Sequence, residues 1–144
     1  MMKVRLVMFA RTRRPEVRAL VDEYLARIRP YAEVETTELR ETSEAALRKV
    51  KLPPGATAVL LDAGGKQFTS AQFARWLGAL RDRGIRELIF LCGGPEGFPE
   101  ELRRRADQAI SLSPLTMSHE LARVLLAEQI YRAFTILTGH PYAK

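Results

Sequence analysis

Two glycine-rich stretches, "LDAGGKQ" from Leu61 and "CGGPEGF" from Cys92, each leave an apolar run and offer backbone with little side chain around it. Such loops can cradle phosphate when their spacing is right. "GGKQ" lacks the leading glycine and the hydroxyl residue of a P-loop, and "GGPEG" lacks both dinucleotide-fingerprint spacing and a helix opening on its third glycine. Singly, each reads as a tight turn. With a third stretch, "SLSPLTMSH" from Ser111 to His119, they read as a binding crevice, because ligands of open parallel sheets lodge at the carboxyl ends of the strands.

Other chemistries find little support. Cys92 ends an apolar run with no histidine near it in sequence, which suits a buried thiol better than a nucleophile. Ser111, Ser113 and Ser118 stand outside any nucleophile-elbow pattern, and Asp62 and Glu96 show no spacing that would pair them for hydrolysis. One cysteine and two distant histidines supply no zinc set, so no metal is expected. A site of this kind works by holding and orienting its reactants.

Positioning those loops requires alternating elements. Val4 to Phe9 reads as a strand, Pro15 to Pro30 brackets an amphipathic helix, "VETTEL" from Val34 is a short strand, and "SEAALRKV" from Ser43 is a short helix. "ATAVLL" (56–61) and "ELIFLC" (87–92) are continuous apolar strands, as a sheet covered on both faces requires. Between them come a polar loop, "DAGGKQFTS", and a helix from about Ser70. "FPEELRRRA" predicts a short helix, "QAISLS" a last strand, and Ser118 the cap of a final helix to Leu137. The fold class is α/β, a doubly wound parallel sheet in one domain over 1–144.

The final helix shows almost no polar face; Arg123, Glu128 and Arg132 are its exceptions, the last two spaced for an ion pair. One sheet cannot cover it, so a second subunit is expected against it, with Tyr131 at the interface; the alternative is a helix buried inside a single core. No apolar run reaches the roughly 20 residues of a membrane span. The opening "MMKVRLVMFARTRR" does not have the layout of a signal peptide, so a cytoplasmic protein is expected. A net charge of +6 and a pI near 9.9 suit a polyanionic partner such as RNA or DNA, with an inert basic surface as the alternative. Arg11, Arg13, Arg14 and Arg18 cluster where the first strand ends.

The stretches "LLDAGGKQFTS", "FLCGGPEGF", "ISLSPLTMSHELARVLLAEQIYRA" and "GHPY", in order over nearly the whole chain, resemble the large-subunit ribosomal RNA methyltransferase H family. These are SPOUT-class enzymes that methylate N3 of a pseudouridine in 23S rRNA. The resemblance implies a C-terminal trefoil knot, a homodimer acting on assembled ribosomes, and S-adenosylmethionine as cofactor. It assigns cofactor contacts to Leu61, Gly93, Leu112, Ser113, Pro114, Leu115, Thr116 and Met117. The chemistry so implied needs a positive charge beside the base, expected from Arg132 or the tail, with His140 and Tyr142 positioning the base and His119 as proton acceptor or merely a capping or packing histidine. Relatives commonly end in Tyr-His and a basic residue, whereas Ala143 stands here in place of that histidine. A SPOUT methyltransferase for another RNA such as tRNA, or a non-catalytic ribosome-binding factor, remains open.

Overall fold

A computed structural model describes residues 1–143, without the side chains of Glu44 and Leu47. Five strands, β1 (Lys3–Phe9), β2 (Glu33–Leu39), β3 (Thr57–Gln67), β4 (Glu87–Cys92) and β5 (Gln108–Ser111), form one sheet in the order β2-β1-β4-β3-β5. Every pairing is parallel. The helices are α1 (Pro15–Ile28), α2 (Glu44–Arg48), α3 (Ser70–Asp82), α4 (Glu100–Arg105) and α5 (His119–Thr138), and a 3-10 turn (Pro141–Ala143) closes the tail.

The apolar run of β4 makes it the central strand. Leu88, Phe90 and Cys92 face a core built with α1, α3 and α5, while Ile89 and Leu91 face a smaller core with α2 and α4. Side chains of period two thus enter both layers, and helices on both faces are borne out. The edge strand β2 carries alternating charge instead; Glu35 pairs with Lys3 and Arg5 of β1, which keeps that edge polar.

Two expectations need correcting. The segment "DAGGKQ" is not a polar loop: β3 runs on through it, bulges between Leu61 and Lys66, and pairs again with Ile110 and Ser111 of β5. Glycine is required there, since a Cβ at Gly65 would lie 2.7 Å from the Ala109 carbonyl carbon. Gly64 has no such neighbour; its Cβ would meet only Asp62 Oδ2, at 3.6 Å.

The second correction concerns α5. It packs against both α1 and α3 as well as the sheet, so its own subunit covers much more of it than the sheet alone could. Tyr131 is buried inside the protomer, 4.6 Å from the Tyr142 ring and 6.5 Å from Tyr31. The apolar side chains of α5 left in water are Leu121, Leu125 and Ile136. Conversely, Glu120, Arg123 and Thr135 are buried.

The two adjacent glycines give a test. Gly65→Ala should destabilise the protein by about 1–3 kcal/mol by prising β3 from β5, whereas Gly64→Ala should change stability by less than about 0.5 kcal/mol. Urea denaturation of both variants reads the difference, and equal midpoints would contradict the close approach.

Candidate functional site

The carboxyl ends of β1, β4, β3 and β5 open on one side of the sheet, where a cavity of about 340 Å³ lies. That volume falls within the roughly 300–1,000 Å³ of small-molecule sites. Leu61, Gly93, Leu112, Ser113, Leu115, Thr116 and Met117 all line it; Pro114, exposed in the same loop, stands outside its wall. Three segments far apart in sequence thus converge, because the parallel β4 and β5 deliver their ends to the edge at which β3 bulges after Leu61.

The loop after β4 is held against β1. A Cβ at Gly94 would overlap the carbonyl oxygen of Phe9, so only glycine lets the chain pass. Gly94 and Gly97 then exchange backbone hydrogen bonds, at 3.0 and 3.3 Å, across the tip Pro95-Glu96. Both leading glycines line the cavity; Gly94 is the one the fold strictly demands, while a Cβ at Gly93 would press on the Gly97 carbonyl oxygen at 3.3 Å.

The wall is mostly apolar side chain and glycine backbone, with no cluster of cations inside it. Such a lining suits the adenosine of S-adenosylmethionine, which carries no phosphate. At the mouth, Arg103 Nη1 donates to Asp62 Oδ2 at 3.1 Å, and the guanidinium lies 5.9 Å from the Phe98 ring. This pair, with Phe98, escaped sequence reasoning, because α4 meets the bulge of β3 only after folding. Ser111, at the base of the 112–117 loop, is buried and its Oγ has no partner. Ser113 Oγ accepts the N–H of Leu115, which shapes the loop and leaves Leu115 exposed on the rim.

His119 also lines the cavity, as does Ala122 one turn on. Burial first, and then the positive charge of Arg123, hold its imidazole below the ordinary 6.5; Glu120 opposes this and Arg13 adds to it. His119 is therefore neutral at pH 7 and able to accept a proton. Cys92 is excluded as a nucleophile, since burial pushes its thiol up to about 12.

Arg132, His140 and Tyr142 assemble elsewhere. Arg132 Nη2 donates to Glu128 Oε2 at 2.8 Å, and Tyr142 Oη donates to the same oxygen at 2.7 Å. The Arg132 guanidinium lies over the Tyr142 ring at 5.1 Å. Burial and the Glu128 carboxylate raise the Tyr142 phenol, so it stays a donor. His140 is exposed and its Nδ1 accepts the Tyr142 N–H. Lys144 lies outside the described residues. Ten residues separate Ala122 from Arg132, or about 15 Å of helix at 1.5 Å per residue, so within one protomer this cluster stands well away from the cavity.

The arginine loop is only partly available. Arg14 pairs with Glu16, and Arg18 is bound by Glu38 and the Thr12 carbonyl. The side chains of Arg11 and Arg13 are exposed and make no ion pair among the described residues. Among those residues, too, no group of three metal-binding side chains occurs, and no helix is long and apolar enough to cross a membrane.

The family described as "Predicted SPOUT methyltransferase" matches residues 2–143. Proteins named ribosomal RNA large subunit methyltransferase H are similar over nearly their whole length. That of Koribacter versatilis is 45% identical, covering 98% of this chain and 97% of its own. That of Gloeobacter violaceus is 43% identical with 98% of each chain covered, and that of Geobacter sulfurreducens 41% identical with 98% and 99% covered. A solved structure of "a probable methylase family protein" from Haemophilus influenzae shares the fold, with a TM-score of 0.54 at 10% identity over 97% of this chain and 68% of that one. With the cavity residues in place and the match running from end to end, the chain belongs to the SPOUT methyltransferases, in the ribosomal RNA large subunit methyltransferase H family.

Proposed function

We propose that the protein is an S-adenosylmethionine-dependent methyltransferase that modifies N3 of a pseudouridine in 23S rRNA on assembled ribosomes, in the cytoplasm. The observation that carries this reading is the convergence of Leu61, Gly93 and the 112–117 segment on one cavity, in a chain whose full-length relatives bear an rRNA methyltransferase name. The segment 112–117 is placed, on this reading, within a C-terminal trefoil knot.

S-adenosylmethionine, when bound, brings a methyl group on a positively charged sulfur, which a substrate nitrogen can take. The apolar walls at Leu61, Leu112 and Met117 would hold the adenosine and keep water out, an effect of orientation and desolvation. The N3 proton of the base has to go to an acceptor, and His119, neutral and on the cavity wall, can take it. Charge that develops on the flanking carbonyl oxygens calls for a cation, and Arg132 is the candidate, with Tyr142 and His140 positioning the base.

Arg132 and the tail reach a cavity only if a second copy presents them. Two α5 helices related by a two-fold axis and running antiparallel would set the carboxyl half of each beside the first turn of the other. Leu121, Leu125 and Ile136 are the exposed apolar side chains of α5 available for that contact. We therefore place the active site between protomers of a homodimer.

Three outcomes are expected. Calorimetry should show S-adenosylmethionine binding that Gly93→Val abolishes, and the wild-type protein should transfer labelled methyl to ribosomes from a strain lacking the gene; no heat and no label would favour a non-catalytic ribosome-binding factor, and label on tRNA a different substrate. Mixing a chain truncated after Gly139 with a Gly93→Val chain should restore about half the wild-type rate per heterodimer, because one composite site is then intact; no rescue in confirmed heterodimers places the tail in its own subunit. The pH profile supplies the third. A neutral His119 serves as acceptor, so the rate should fall as pH drops through its lowered pKa, by about tenfold per pH unit, and His119→Asn should be slower with that acid limb gone.

A further inference from the structure

The first turns of α5 have two working sides. His119 and Ala122 line the cavity, while Glu120 and Arg123 reach the loop between β1 and α1. The Glu120 carboxylate accepts the N–H of Arg13 at 3.0 Å with one oxygen and that of Arg14 at 3.1 Å with the other. Arg123 has no solvent exposure at all. Its Nη1 donates to Thr12 Oγ1 and its Nη2 to the Ala10 carbonyl, both at 2.8 Å.

Ala10 is strained. Its φ of 134° lies where side chains are disfavoured, and the Arg123 hydrogen bond to its carbonyl holds it there. Glu38 adds a further tie by accepting the Thr12 N–H. Residues 10 and 12–14 are thus each anchored through backbone or side chain, whereas the side chains of Arg11 and Arg13 point to solvent.

Stability does not account for this arrangement. A fully buried guanidinium with no carboxylate in contact and an unpartnered Nε is a costly way to fill space that an apolar residue could occupy. What it achieves is a fixed, strained loop with two unpaired cations on its outer side.

We propose that Arg123, assisted by Glu120, is a positioning residue for the RNA substrate: it fixes the backbone of residues 10–14 so that Arg11 and Arg13 stand ready for phosphates at the mouth of the cofactor cavity. The inference rests on the proposed methyl transfer to ribosomal RNA. Its physical basis is preorganisation, since a loop already ordered loses little further freedom when the polyanion docks. Placing the clamp one residue from each cavity-lining position also keeps RNA register and cofactor register on one rigid turn of helix.

The test compares wild type, Arg123→Met, Arg123→Lys and Thr12→Val, with 70S ribosomes from a strain lacking the gene as the probe. Relative to wild type, and at about pH 8.5, well above the ordinary histidine value so that His119 is neutral with or without the Arg123 charge, Arg123→Met should raise the KM for ribosomes about tenfold while kcat and the cofactor Kd stay within about twofold, because uniform substrate binding is lost and the chemistry is not. Arg123→Lys should recover part of the loss, its ammonium still reaching one acceptor. Thr12→Val, which keeps the guanidinium but removes the acceptor of its Nη1, should raise KM a few-fold, and it decides alone if Arg123→Met fails to fold. In an Arg11→Ala/Arg13→Ala background, Arg123→Met should have no further effect on KM, a non-additivity that loss of stability would not produce. Ribosome KM unchanged in Thr12→Val and Arg123→Met, or full additivity with the two alanine substitutions, overturns the clamp. If the wild-type protein transfers no methyl group, the proposed function fails instead, and ribosome affinity measured by sedimentation still judges the clamp by the same comparisons.

Discussion

Burial of β4 on both faces is the constraint from which the rest of the molecule follows. Leu88 to Leu91 have no solvent exposure, so both surfaces of the sheet are closed by helices and the carboxyl edge is left for a ligand. At that edge the chain must leave the central strand between two neighbours. Gly94 passes against the Phe9 carbonyl because it has no side chain, and the room that remains becomes the cavity. The poverty of side chains in "CGGPEGF" is thus a steric requirement of the central strand first and a property of the pocket second.

The elements were largely legible because their signals are local. Alternation and apolar runs marked every strand, and Ser118 does cap α5, accepting the Leu121 N–H. The Thr69–Gln72 capping box that opens α3 went unread, although its T-x-x-Q spacing is equally local. The misreading of "DAGGKQ" has a definite origin. Asp, Ala and two glycines have the composition of a loop, and the reason they are a strand, contact with the Ala109 backbone, lies more than 40 residues away in sequence. Non-local backbone contact leaves no periodic trace.

The candidate site was legible in a different way. The two cavity segments that follow β4 and β5 were marked by their place after strands, which depends only on element order, and Leu61 by the end of its apolar run, although β3 continues past it. Their mouth was not, because Arg103 and Asp62 meet only when α4 comes to lie beside the bulge of β3. The arginine cluster shows the same limit. Sequence counts four cations, but charge pairing within the fold ties Arg14 and Arg18 to carboxylates and leaves Arg11 and Arg13.

Helix α5 shows why periodicity fails when a helix has partners on several sides. A surface helix sorts apolar residues inward and polar ones outward, and the stripe tells the reader which side is which. Here leucines occur all round, and the sorting is partly inverted: Arg123 and Glu120 lie inside while Leu121 and Leu125 lie outside. Inward polar groups are tolerable because the β1–α1 loop presents them with a hydroxyl, a carbonyl and two N–H groups. Outward leucines have no such compensation within one protomer. At the other end of the helix Glu128 neutralises Arg132 and Tyr142 covers it, so a cation proposed to stabilise charge on a base is already occupied when the protomer stands alone. A polyanionic substrate brought between two protomers would supply the competing negative charge. On the proposed dimer the Glu128 pair keeps Arg132 oriented until RNA arrives, and the exposed leucines would line the seam across which it acts.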